Sequence, residues 1–201
     1  MLVVVLSTLA ACGRDKAPQV LSSAPLSVPV KTERARPSVT GEERDKLLSS
    51  ATKGLLKSRD KMEKVSFYLA KNRSITRTNL DTYLAIPDGL PAILRVMPSY
   101  YGDDWIFFNT VKVMADDEIV YQKTFNHNDV LRDNANGSVW EIADYIAGDV
   151  ELATIKKIIA SKSATIRFSG NEHREDHEIS RGERDRLQQI LTAYEALSSL
   201  Q

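Results

Sequence analysis

Between residues 65 and 125 the chain repeatedly alternates apolar and polar side chains with a period of two, and from residue 187 the apolar period lengthens to that of a helix. Successive side chains of a strand point to opposite faces, so a period of two buries one face only in a sheet. PAILRVMPSY (91–100) sets Ala92, Leu94, Val96 and Tyr100 against Ile93, Arg95 and Met97. WIFFNTVKVM (105–114) sets Trp105, Phe107, Val111 and Val113 against Ile106, Phe108 and Met114, and carries the strongest strand pattern. VSFYLAK (65–71) and LDTYLAI (80–86) have the β-branched and aromatic content of strands. Turn residues separate these runs at Pro87-Asp88-Gly89 and at Tyr101-Gly102-Asp103-Asp104. Asp116-Asp117 predicts a hairpin into EIVYQKTF (118–125), and Asn134-Ala135-Asn136-Gly137 is a turn before SVWEIADY (138–145). SATIRFSG (163–170) is a further strand, and the polar NEHREDHEI (171–179) reads as a turn leading into a short one.

Helices bracket the strands. Thr40-Gly41-Glu42-Glu43 fits a capping box, and Leu47, Leu48, Ala51, Leu55 and Met62 continue near helical spacing, which predicts a helix over about 41–63 with Gly54 as its weak point. Asp149 can cap a second helix, about 150–161, with Leu152, Ile155, Ile158 and Ile159 on one face. Ser180-Arg181-Gly182-Glu183 is a second capping box, and Leu187, Ile190, Leu191, Tyr194 and Leu197 form the apolar stripe of a last helix. Strands in the middle and helices at the ends predict a single α+β domain over 41–201, with a mostly antiparallel sheet that can close into a sandwich.

Composition narrows the function classes. Lys+Arg and Asp+Glu are both 27, so the formal net charge is zero. A nucleic-acid binder uses an excess of basic charge to displace phosphate counterions, and no basic run supplies one here. One cysteine in 201 residues makes no internal disulfide, so the fold rests on core burial.

That cysteine, Cys12, closes a distinctive stretch. Residues 2–11, LVVVLSTLAA, form an apolar run too short for a permanent membrane helix, which needs about twenty residues. The length suits the core of a secretory signal. The run ends Leu9-Ala10-Ala11-Cys12, which resembles the box of bacterial lipoprotein signals. No Lys or Arg precedes the run, a departure from the usual positive start. The resemblance implies that 1–11 is a signal peptide and that Cys12 becomes an acylated first residue. Each buried methylene contributes about 0.8 kcal/mol, so two or more chains anchor stably. Gly13, where an Asp would favour inner-membrane retention in the lipoproteins this resembles, implies an outer-membrane address with the domain facing the periplasm. Residues 13–40 hold Pro18, Pro25, Pro29 and Pro37 with no helical or strand period. With Cys12 they make a lipidated tether over 12–40, reaching roughly 80 Å if extended and about 30 Å as a coil.

The folded part carries several charged clusters. His173 and His177 flank Arg174-Glu175-Asp176 among further carboxylates, a donor set that suits a transition metal. On a strand the two would stand about 13 Å apart, and the order needed for a zinc hydrolase is missing, so a solvated edge is the simpler reading. Asp103-Asp104 and Asp116-Asp117 lie at opposite ends of the 105–114 run, too far apart to act together. Arg95, Glu141, Asp144 and Arg167 interrupt otherwise apolar strand patterns. If their strands are neighbours, Arg95 or Arg167 can pair with Glu141, either as an internal ion pair that sets register or as a pocket for an anionic ligand. Tyr100, Tyr101, Trp105, Phe107, Phe108 and Trp140 concentrate the aromatics, as a core or a ligand platform would. No nucleophile elbow, phosphate loop or dinucleotide fingerprint occurs, and no cofactor is expected.

YYGDDWIFF, VWE and IRFSG with a closing amphipathic helix resemble a group of small uncharacterised bacterial and phage-associated proteins over about 60–198. That resemblance implies a shared domain and no mechanism. Together these readings point to a lipid-anchored, non-enzymatic module that binds an envelope protein or component. The alternatives are an envelope-acting hydrolase, or a prophage-type exclusion or inhibitor lipoprotein.

Overall fold

The computed structural model describes residues 41–74 and 76–198. The signal peptide, Cys12, the tether and the Thr40 cap lie outside the described residues. Three α-helices and eleven strands are present among those that are described. Helix α1 is Gly41–Ala51, followed by β1 (Leu56–Asp60), β2 (Val65–Leu69), β3 (Asn79–Pro87) and β4 (Ile93–Gly102). Next come β5 (Thr110–Ala115), β6 (Glu118–Thr124), β7 (Val130–Ala135), β8 (Ser138–Ala143) and the short β9 (Tyr145–Ile146). Helix α2 (Asp149–Ala160), β10 (Ala164–Ser169), β11 (Arg174–Glu178) and helix α3 (Arg181–Ser198) complete the chain.

The strands form two antiparallel sheets. Sheet A runs β1-β2-β3-β4-β8-β7, with β9 also paired to β4; sheet B runs β11-β10-β5-β6. The α+β class expected from the period changes is the one observed. One core joins the two sheets and the helices. Leu84, Leu94 and Val96 of sheet A share it with Val113, Ile166 and Phe168 of sheet B and with Ile158, Leu187 and Ile190 of the helices.

Two departures from the expected elements have clear physical causes. The first helix stops at Ala51 because Gly54 takes a left-handed φ of +88°, and Leu56–Asp60 then pairs with β2 as an edge strand. LKSRD has no apolar alternation, so pairing alone makes it a strand. Met62, which had fitted the helical spacing, is 92% exposed. The 105–114 run is a strand only from Thr110. Before it, Ile106 and Phe108 are buried and Phe107 is exposed, whereas after it Val111 and Val113 are buried. The burial phase therefore slips by one residue within the run, and the faces expected from strict alternation are wrong on its first half. The slip sits where Phe107 adopts φ +52°.

The turns behave as their residues dictate. Asp116-Asp117 and Asn136-Gly137 are both two-residue hairpin loops with positive φ at each position, the geometry that matches strand twist. Asp116 also accepts the backbone N–H groups of Lys162 and Ser163, tying the α2–β10 connection to the hairpin. Helix α2 starts one residue earlier than Asp149 capping implies: Gly148 is the cap, and its N–H donates to Glu151 at 2.9 Å.

The α3 capping box is present. Ser180 N–H donates to Glu183 Oε2 at 2.9 Å, while Glu183 N–H donates to Ser180 Oγ at 3.3 Å. β2 pairs only with the second half of β3, so the edge of Leu80 is open and Glu183 Oε1 accepts its N–H. Burial works to raise the Glu183 pKa, but hydrogen bonds from His177 and Ser180 outweigh it and hold the carboxyl below its ordinary value. The native state therefore binds this proton less readily than the unfolded chain. Its contribution to stability is full above the ordinary Glu pKa and disappears as pH falls through the lowered native value. Unfolding midpoints measured from pH 7 down to about 3 should fall more steeply for the wild type than for Glu183→Gln.

Candidate functional site

The segment that breaks the strand pattern is braced by three hydrogen bonds to a single side chain of β8. Glu141, on the inner face of β8, is fully buried. Its Oε1 accepts the N–H groups of Ile106 (2.8 Å) and Phe107 (2.7 Å), and its Oε2 accepts that of Phe108 (2.8 Å). Three consecutive amides thus converge on one carboxylate in place of a strand partner. Arg132, directly across from Glu141 in the β7–β8 register, places Nε 3.3 Å from Oε2. Its remaining donors reach the carbonyls of Phe108, His127 and Val130. A buried charge is tolerable only when paired and hydrogen-bonded, and here both partners are.

From the other side, Gly170 closes on the same loop. A Cβ at that position would fall 1.9 Å from the Ile106 carbonyl oxygen, so no larger residue fits. Between these supports the chain presents Phe107, 53% exposed and in the left-handed region. Its ring stacks on Trp105, with centroids 5.5 Å apart and planes 17° from parallel, and the Arg132 guanidinium lies 5.9 Å from its centroid. A bulky side chain at positive φ costs roughly 1–2 kcal/mol and persists only where surrounding contacts impose it. The arrangement presents Phe107 at the surface, stacked on a half-buried Trp105 that packs against the core.

Of the four charged residues singled out from the strand patterns, only Arg95 and Asp144 meet. Arg95 bonds Asp144, with Nε 2.8 Å from Oδ1, and the Tyr83 hydroxyl donates to the other Asp144 oxygen at 2.6 Å. Burial first, and then the Asp144 carboxylate, push Tyr83 up to about 12. Arg167 pairs with Asp176 directly across the β10–β11 register. The expected pairing of Glu141 with Arg95 or Arg167 is therefore replaced by three separate pairs, Arg95–Asp144, Arg132–Glu141 and Arg167–Asp176. Arg95, Glu141 and Arg167, the residues of the expected anion pocket, are each engaged by a different partner.

His173 and His177 part in the same way. His173 lies in the exposed turn before β11, whereas His177 Nε2 is 2.9 Å from Glu183. No group of three metal-ligating side chains converges among the described residues. The aromatics divide as well: Tyr100 and Phe108 enter the core, Trp105 packs half-buried against it, and Phe107 is exposed.

Arg132 is not among the sequence candidates because no strand is assigned to Val130–Asp133, and only the turn that follows is recognised. The signal was available, since an Asn-Gly hairpin loop before SVWEIA requires a strand on its other side. Comparison of the chain with family models, with curated proteins and with solved structures finds no match.

Proposed function

We propose that the protein is a lipid-anchored, non-enzymatic binding module of the cell envelope that meets its partner through the Trp105–Phe107 loop. The observation that carries this reading is the loop itself. A fully buried carboxylate, a half-buried arginine and an obligatory glycine all hold a strained, exposed Phe107 in one position. Strain concentrated at an exposed aromatic is the mark of a contact residue, because core packing gains nothing from it. The anchor rests on Leu9-Ala10-Ala11-Cys12 and the outer-membrane address on Gly13. The proline-bearing segment 13–40 would give the module reach into the periplasm. An envelope hydrolase using Arg95, Glu141 and Arg167 has no support in their geometry, since each is engaged by a different partner.

A photo-reactive phenylalanine analogue placed at Phe107 of the full chain tests the contact. Adducts with an envelope component are expected there, and none from the same analogue at Met114 on sheet B. Equal labelling at both positions would remove the loop from the account. Phe107→Gly should abolish the partner while changing stability by no more than about 1 kcal/mol, because relief of the left-handed strain offsets the lost ring stacking. Urea unfolding measures the second half of that expectation.

A further inference from the structure

The hairpin that carries Arg132 ends sheet A. Among the described residues β7 pairs with β8 and with no other strand. Its two-residue Asn136-Gly137 loop makes Ala135 and Ser138 the last hydrogen-bonded pair, and the ladder alternates from there. Leu131, Asp133 and Ala135 therefore turn their N–H and C=O groups to β8, and Val130, Arg132 and Asn134 turn theirs outward. Two bonds agree with this parity. The Val130 carbonyl accepts Arg132 Nη1 at 3.2 Å, and the Asn134 N–H donates to Asp133 Oδ1 at 2.8 Å. The N–H and C=O of Arg132 and the C=O of Asn134 are left at the open edge. An open edge is a template for another strand unless it is guarded. Of the other three edges, β1 (LKSRD) and β11 (REDHE) are lined with charges, and β6 packs against α2. On β7 the cation is drawn inward: Arg132 turns onto Glu141 and the Phe108 carbonyl, 5.9 Å from the Phe107 ring. Phe107 thus stands beside the edge on its inner side. Asp133, next along the strand, is exposed on the other side and forms no ion pair among the described residues.

We propose that the partner met by the Trp105–Phe107 loop is an extended peptide segment that adds to β7 as a further strand, with apolar residues on the Phe107 side and basic residues on the Asp133 side. The proposal rests on the loop reading and gives its partner a chemical form. Main-chain bonds to an edge supply affinity, and side chains on alternate faces supply specificity. In an antiparallel addition the residue opposite Arg132 exchanges both of its main-chain bonds with the edge and shares the inner face with the Phe107 ring. The residue opposite Asp133 lies on the other face, where the unpaired carboxylate selects a lysine or arginine. One strand of alternating apolar and basic residues thus satisfies the edge, the exposed ring and the charge together.

Amide hydrogen exchange of the full chain in detergent micelles, read residue by residue by NMR, tests this. The probe is a peptide of alternating lysine and valine, about eight residues long, which covers the length of β7. The expected result alternates along the strand. The peptide should slow exchange at Arg132 and Asn134 by about tenfold, the worth of one net hydrogen bond, and leave Leu131, Asp133 and Ala135, already bonded to β8, as they were. The same peptide with its valines N-methylated has lost the donors that face β7 and should protect nothing. Asp133→Lys should weaken the lysine–valine peptide about tenfold and admit a glutamate–valine peptide in its place. Asp133 lies outside the Glu141 brace, so the thermal midpoint of that variant should stay close to the wild type. Exchange that does not slow at Arg132, or that slows equally at Leu131 and Asp133, overturns strand addition. Adducts from the analogue at Phe107 would then still support the loop contact, so the two readings fail separately. Protection of Arg132 without peptide that rises with chain concentration, or that vanishes once 13–40 is removed, also overturns the proposal and assigns the edge to a second copy or to the tether.

Discussion

Glu141→Gln is expected to lower the unfolding free energy by about 3–5 kcal/mol, out of a total that for domains of this kind is about 5–15 kcal/mol. The substitution is nearly isosteric, so the loss comes from hydrogen bonding and charge. An amide retains one acceptor oxygen but turns an N–H₂ group toward donors that the second oxygen had accepted. On one side those donors are Ile106 and Phe107; on the other they are Phe108 and Arg132. Either orientation leaves the loop half held and the half-buried guanidinium of Arg132 without its counter-charge. Urea titration at pH 7 should show a lower midpoint with an unchanged slope, as long as the native state keeps its compactness. A loss below about 1 kcal/mol would mean that the three amides find other partners and that Glu141 is not what holds the loop.

Gly170→Ala should cost about 3 kcal/mol, at the upper end of overpacking effects. The obstruction is backbone, the Ile106 carbonyl at 1.9 Å and that of Phe107 at 3.0 Å, so no side-chain rotation relieves it. Room can come only from moving the loop that Glu141 holds from the opposite side. The two substitutions act on one segment, and the double variant should therefore lose less than the sum of the singles, by about 0.5–3 kcal/mol. Full additivity in denaturant titration would show that Gly170 and Glu141 brace separate parts of the structure.

These two residues also show where sequence reading reached and where it stopped. The α3 helix, its capping box and the alternation of 91–100 were legible because local rules govern them: Ser180, Glu183, Leu94 and Val96 all do what spacing requires. The Asp116-Asp117 hairpin was legible for the same reason. β1 was not, because LKSRD becomes a strand through its neighbour and the helix before it ends at a single glycine. Trp105–Asn109 was misread because its apolar residues mimic a strand, while its backbone is shaped by a carboxylate more than thirty residues away. Glu141 was singled out as an improbable charge in a strand, which was sound, but its partner was sought in Arg95 and Arg167. The true partner, Arg132, sits across a hairpin whose first strand had not been recognised. Gly170 carried no sequence signal, since its requirement is a close approach in space and not a backbone conformation.

The reading of this chain as an anchored envelope module is tested most directly at Cys12. The full chain and its Cys12→Ala form can be expressed in a Gram-negative host, the membranes separated, and the mature N-terminus weighed. The account predicts a chain that begins at an acylated Cys12 in the outer-membrane fraction, and an unprocessed, unanchored product from Cys12→Ala. An uncleaved wild-type chain that stays soluble in the cytosol would contradict it.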